Sequence, residues 1–278
     1  MITSRFVRQS LLMLCLSLIV ACARISVSSE YTPEVGQDGK DVAWVPTCQE
    51  LVDKMLHVAK VTPQDFVVDL GSGDGCLVIT AAKRGARSMG IEYNPDMVAL
   101  SMRNAAREGV AGKAQFIQGD IFETDFSQAT VITMFLLESL NLQLRPQILN
   151  LKPGTRVVSN TFTMGEWTAD QVATVEDSDC SSYSKAYLWI APAKVEGTWK
   201  FPQGELTLEQ HFQTFSGALK SGSKSVSVTD GKLNGDLATF TIGNVKYTGR
   251  VSGNTMKGTY ESGGSTLQWS ATMVGKKM

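Results

Sequence analysis

The sequence predicts an α/β domain built on a mostly parallel seven-stranded sheet, followed by a small antiparallel β-barrel or sandwich. Two observations carry that reading. From Val45 to Lys194, short apolar runs alternate with segments of helical period, the order of strand–helix–strand units. From Val195 the pattern changes to apolar–polar alternation, with 13 of the 25 glycines in the last 84 residues, as closely spaced turns between short antiparallel strands require. The 278 residues carry 26 basic and 27 acidic side chains, and 43% are hydrophobic. That is globular composition, and the lack of a basic surplus argues against a nucleic-acid partner. Two histidines, His57 and His211, and five cysteines with no C-x-x-C pair leave no metal site to expect.

The chain opens with Arg5 and Arg8 ahead of an uncharged stretch from Leu11 to Ala23. That length suits a signal-peptide core and falls short of the ~20 residues of a membrane span. Ile19-Val20-Ala21-Cys22 resembles the bacterial lipobox, in which cleavage leaves a cysteine that takes lipid. Residues 1–21 therefore read as a signal peptide and Cys22 as the lipidation site, although a cut after Ala23 also satisfies the small-x-small rule. The mature chain then has 24 basic and 27 acidic residues, a net charge of −3. Residues 22–44, polar from Arg24 to Asp41 with Pro33, Gly36 and Gly39, read as a tether. Cys48, Cys76 and Cys180 remain, an odd number that leaves at least one thiol free within a single chain.

Residues 45–194 form the first domain. Leu51, Met55, Val58 and Ala59 fall on one helical face. Phe66 to Leu70 is the apolar run of a buried parallel strand. The next helix runs from about Cys76 to Gly85, with Lys83 and Arg84 in its last turn. Ser88 to Glu92 is a strand, and Asn94-Pro95 caps a helix that Gly109 ends. Ala114 to Gln118, Thr130 to Phe135 and Arg156 to Asn160 are the remaining parallel strands, and Gln171 to Glu176 with Lys185 to Ala191 a closing antiparallel pair. In residues 195–278, Leu206, Leu208 and Phe212 share one parity, as do Leu267, Trp269, Ala271 and Met273. Turns fall at Asp230-Gly231, Asn234-Gly235, Gly243-Asn244, Gly253-Asn254 and Gly263-Gly264.

The chemistry concentrates at three strand ends. Asp69-Leu70-Gly71-Ser72-Gly73-Asp74-Gly75 joins a strand to a helix, where glycines admit close backbone approach and the helix start offers free N–H groups. Glu92 ends the second strand, at the place where an acid accepts both hydroxyls of a ribose. Gln118-Gly119-Asp120 ends the third, where Asp120 can accept from an adenine amino group with Ile121 against the ring face.

These motifs, with Gly90-Ile91-Glu92-Tyr93-Asn94-Pro95, closely resemble those of class I S-adenosylmethionine-dependent methyltransferases over roughly Val45 to Ala193. Within the class they look like the small bacterial and mitochondrial protein-lysine methyltransferases, although those relatives often carry arginine where Cys76 stands. The resemblance implies a Rossmann-like sheet and S-adenosyl-L-methionine as cofactor. It implies that Asp69, Gly71, Gly73 and Gly75 hold the methionine part, Glu92 the ribose, and Asp120 with Ile121 the adenine, with Asp74 and Tyr93 also binding the cofactor. The methyl acceptor is a protein lysine or a small molecule. Glu138 and Asn141, after the fourth strand, are candidates to face it, and Phe162, Trp167 and Tyr93 candidates to wall the pocket. The address implies an enzyme lipid-anchored to a bacterial membrane on its extracytoplasmic side, or a cytoplasmic one if the segment is not processed. The alternative function is an extracytoplasmic binding module with a non-catalytic methyltransferase-like fold.

Overall fold

A computed structural model describes residues 31–176, 180 and 182–275; Cys22 and the residues before it lie outside them. The elements run α1 (Gln49–Val58), β1 (Phe66–Leu70), α2 (Cys76–Lys83), β2 (Arg87–Glu92), α3 (Pro95–Arg107), β3 (Ala114–Gln118), β4 (Val131–Met134), α4 (Glu138–Ile148), β5 (Arg156–Asn160), β6 (Gln171–Thr174) and β7 (Lys185–Ile190). The seven strands form one sheet in the order β3-β2-β1-β4-β5-β7-β6. β1 to β5 are parallel, and β7 runs antiparallel to both β5 and β6. Strand order reverses between β1 and β4, so a crevice opens there at the carboxyl ends of the strands, where such folds bind ligands.

Local chemistry explains the elements. β1, β4 and β5 are apolar because both sheet faces are covered, and Val67, Val68, Leu70, Val131, Ile132, Val157 and Val158 are buried. Asn94 caps α3 by accepting the Asp96 N–H at 2.9 Å, with Pro95 at the first helical position. α1 buries Leu51, Val52, Met55 and Leu56 on one face. At the amino end of β1, buried Asp65 pairs with Arg156 and accepts from Thr130 Oγ1 and the Thr62 N–H.

The remaining strands are β8 (Gly197–Phe201), β9 (Gly204–His211), β10 (Thr214–Ser221), β11 (Lys224–Asn234), β12 (Leu237–Ile242), β13 (Val245–Ser252), β14 (Thr255–Ser262) and β15 (Ser265–Gly275). They form a closed antiparallel barrel in which each strand pairs with the next and β15 pairs with β8. The interior is a side-chain core around Trp199, Phe201, Leu206, Leu208, Phe240 and Trp269. Phe212 departs from the parity expected of it. At φ 53° in the β9–β10 turn, it leaves the barrel and stacks on Trp167 of the first domain, ring centroids 5.7 Å apart. Trp167, expected as a pocket wall, is completely buried there and does not line the crevice at the strand-order reversal. The Ala193 N–H to Gly235 O bond and the Gln213 Nε2 to Thr168 O bond, both 2.8 Å, join barrel and sheet further.

Among the described residues no helix is long and apolar enough to cross a membrane. Cys48 and Cys180 form a disulfide, and Cys76 is a free thiol.

Candidate active site

A cavity of about 360 Å³ occupies the crevice at the reversal point. Its first wall is the turn after β1, where Gly71, Gly73 and Gly75 have φ of 76°, 53° and 86°. Left-handed backbone is costly for any residue with a Cβ. Gly75 has a second reason: a Cβ there would lie 2.8 Å from the Phe116 ring, so only glycine lets α2 start this close to β3. Gly75 accordingly does not line the cavity, whereas Gly71, Gly73 and Asp74 do.

Glu92 organises the turn. One carboxylate oxygen accepts the Gly73 N–H and the other the Asn94 N–H, each at 2.9 Å. Ser101 Oγ and Asn104 Nδ2 hold the Gly73 and Asp74 carbonyls at 2.7 and 2.9 Å. Asp69, paired in register with Thr133, accepts its hydroxyl at 2.6 Å and is almost fully buried. Burial pushes Asp69 up to about 7; the Thr133 bond opposes this, and the charges of Glu92 and Asp74 add to it. Cys76 also borders the cavity, and burial pushes its thiol well up, with Asp74 and Asp69 adding. It is therefore a weak nucleophile.

Asp120 lies past β3 and accepts from Lys40 Nζ at 2.6 Å and the Phe122 N–H at 2.9 Å. The Lys40 ammonium, then the Phe122 N–H, hold its carboxyl below the usual range. Lys40 also sits over the Tyr93 and Phe122 rings, 5.4 and 5.8 Å from their centroids. Tyr93 and Ile121 both line the cavity.

Lys40 belongs to a segment that the sequence reads as tether. Residues 37–44 instead wall the crevice. The Gly36 N–H bonds to Trp44 O and the Trp44 N–H to Gln37 O, at 2.8 and 3.0 Å, closing a loop. A Cβ on Gly73 would come within 2.7 Å of the Trp44 indole nitrogen. The signal in the sequence is Trp44-Val45-Pro46, an apolar cluster ending a polar stretch.

Beyond the reversal point the lining is apolar: Phe135, Leu136, Leu137, Leu140, Phe162 and Tyr183. Phe162 is where the sequence reading put it, while Tyr183 escaped that reading because it arrives from the β6–β7 connection. Neither Glu138 nor Asn141 lines the cavity. Exposed Glu138 accepts Thr163 Oγ1 at 2.5 Å. Asn141 is fully buried, its amide donating to Ser159 Oγ and to the Phe162 and Thr163 carbonyls at 3.1–3.2 Å. Its amide NH2 holds the chain after β5.

A glycine turn that admits close backbone approach, flanked by the Asp69 and Asp74 carboxylates, with a carboxylate after β2 and another after β3, suits a ligand with an ammonium group, a ribose and an adenine. Among the described residues, no cluster suits a metal ion.

Residues 69–171 match the ANTKMT methyltransferase domain family. Over 152 residues the chain is 42% identical to a protein-lysine N-methyltransferase of Saccharolobus islandicus, a match covering 54% of this chain and 93% of that protein. It is 33% identical over 129 residues to the adenine nucleotide translocase lysine N-methyltransferase of Mus musculus, covering 45% of this chain and 56% of that one. A solved RNA methyltransferase from Salinibacter ruber, in complex with S-adenosyl-L-homocysteine, superposes with a TM-score of 0.51 at 45% identity, over 54% of this chain and 96% of that one. Each of these matches covers at most 54% of this chain.

Proposed function

The chain belongs to the S-adenosylmethionine-dependent methyltransferases with the ANTKMT methyltransferase domain, and from that membership we propose that it methylates the ε-amino group of a protein lysine. The observation that carries the acceptor class is the apolar half of the crevice. Phe135, Leu136, Leu137, Leu140, Phe162 and Tyr183 suit a long aliphatic stem and offer no carboxylate to hold a proton on the amine. Desolvation by these side chains favours the neutral, nucleophilic amine. Two relatives named for lysine methylation support the same choice.

When bound, S-adenosylmethionine supplies a methyl group activated on a sulfonium, so the protein's part is to position and to exclude water. We assign the methionine moiety to Asp69, Asp74 and the backbone of Gly71 and Gly73, the ribose hydroxyls to Glu92 beside Tyr93, and the adenine to Asp120 and Ile121. Gly75 serves by letting α2 approach β3. Lys40 keeps Asp120 ionised, the form that accepts an amino hydrogen.

The Asp69 assignment has a pH signature. With its pKa raised to about 7, its ionised form is disfavoured in the free protein, whose stability falls as pH rises from the ordinary carboxylate range toward 7. A bound α-ammonium favours the carboxylate. Cofactor affinity is therefore expected to rise with pH up to about 7, by at most about tenfold per unit, and then level. Titration calorimetry across that window checks it: Asp69→Asn should flatten the profile, and a flat wild-type profile removes Asp69 from the assignment.

The acceptor is tested by incubating the protein with methyl-labelled S-adenosylmethionine and either cell-envelope protein or total RNA of the source organism. Label recovered as methyl-lysine is the expected outcome. Label in RNA alone overturns the proposal.

We further propose that the enzyme is lipid-anchored outside the cytoplasm. The Arg5/Arg8-flanked apolar stretch ending at Cys22 supports this, as does the Cys48–Cys180 bond, since disulfides persist in oxidising compartments. Cys22→Ser should then abolish palmitate labelling and membrane fractionation; wild type found unlabelled in the cytosol would sink the idea.

A further inference from the structure

Three aromatic rings reach one edge of the sheet from three separate elements. Phe135 follows β4 and Phe162 follows β5. Tyr183 precedes β7, which runs antiparallel to β5 with Ala186 opposite Asn160, so its start lies beside the end of β5. The Phe135–Tyr183 centroids are 5.0 Å apart, and Phe162 lies 6.3 Å from each of the other two. All three rings line the crevice across the reversal point from Glu92 and Asp120.

The wall is held at a cost. Thr161, next to Phe162, has φ 60°, a left-handed conformation that a β-branched residue rarely adopts. The Thr161 N–H to Lys185 O and Phe162 N–H to Asn160 O bonds, both 2.7 Å, and the buried Asn141 amide fix that turn. The Tyr183 N–H bonds to Cys180 O at 2.9 Å, and the disulfide ties Cys180 to Cys48 beside the crevice residue Thr47. Backbone strain held in place by surrounding contacts concentrates at functional sites.

We propose that Phe135, Phe162 and Tyr183 form the acceptor subsite and receive the acceptor nitrogen as an alkylammonium cation against their rings. This rests on the lysine reading above. An amine with an ordinary pKa arrives charged and leaves charged, so its subsite must accept a cation. A carboxylate would clamp the proton on, whereas aromatic faces offset only part of the cost of desolvating the cation. The proton therefore passes to solvent water, the neutral amine takes the methyl group from the sulfonium, and the methylated product is again a cation the rings can hold.

The probes are Nα-acetyl-Nε-trimethyl-lysine methylamide and its neutral isostere with carbon in place of the quaternary nitrogen. Each is titrated by NMR into the full chain saturated with S-adenosylhomocysteine. The cation is expected to bind about fivefold or more tightly than the isostere. Phe162→Leu and Tyr183→Leu should erase the preference without changing S-adenosylhomocysteine affinity, and Tyr183→Phe should keep it. Equal binding of the two probes to wild type overturns the proposal, even if a variant fails to fold. Persistence of the preference in a folded Phe162→Leu Tyr183→Leu double variant overturns it too. A cation preference in a protein that labels no lysine keeps the subsite and rejects the lysine reading; labelled lysine without the preference does the reverse.

Discussion

Replacing Glu92 by alanine is expected to weaken S-adenosylhomocysteine binding on the order of a hundredfold. Charge-assisted hydrogen bonds are worth roughly 1.5–3 kcal/mol each, and two to a ribose, partly replaced by water, leave about 3 kcal/mol. The same carboxylate accepts the N–H groups of Gly73 and Asn94 in the free protein, so its loss also loosens the turn that meets the methionine end. Glu92→Gln keeps one acceptor oxygen and should fall between. Calorimetric titration of both variants, with thermal unfolding as a control, separates ligand loss from fold loss. An alanine variant that binds like wild type would remove Glu92 from the ribose assignment.

Removing the Cys48–Cys180 crosslink should have the largest effect on stability. The bond joins residues 132 apart in sequence with Cα atoms 5.3 Å apart, a separation ordinary for disulfides. Closing a loop of that length restricts the unfolded chain by about 4–5 kcal/mol in the entropic account, and natural removals cost about 2–5. Cys48→Ala Cys180→Ala is expected to lower the urea midpoint accordingly. Wild type in reductant should match the variant, and the variant should ignore reductant. A wild-type midpoint unmoved by reductant would mean that the bond does not form.

Much of this was legible in the chain. The parallel strands announce themselves because Phe66–Leu70, Val131–Met134 and Arg156–Asn160 lie where both sheet faces are covered, so their apolar runs are local signals. The carboxylates at strand ends are likewise local. What escaped depends on distant partners. Lys40 finds Asp120 eighty positions away, and Trp44 packs over a glycine turn, so a polar stretch with Gly36 and Gly39 reads as a linker until its neighbours are known. Asn141 occupies the position of an acceptor-facing residue but spends its amide on the Phe162 and Thr163 carbonyls. Three cysteines beyond Cys22 allow three pairings, and only the docking of α1 against the β6–β7 connection selects one. Barrel or sandwich was equally open, because closure is decided by one ladder between the first and last strands.

That single ladder also sets how the two domains are wired. Seven of the eight barrel pairings join strands adjacent in sequence, and only β15 to β8 closes a long loop. The sheet, by contrast, must bring β4 beside β1 across an intervening strand pair, Val67 against Val131. The barrel strands, Gly197 to Gly275, are thus wired by contacts nearer in sequence than those that order the sheet. Phe212 leaves that locally wired barrel to stack on the fully buried Trp167, so a fault in barrel closure would be felt in the core of the sheet through this ring.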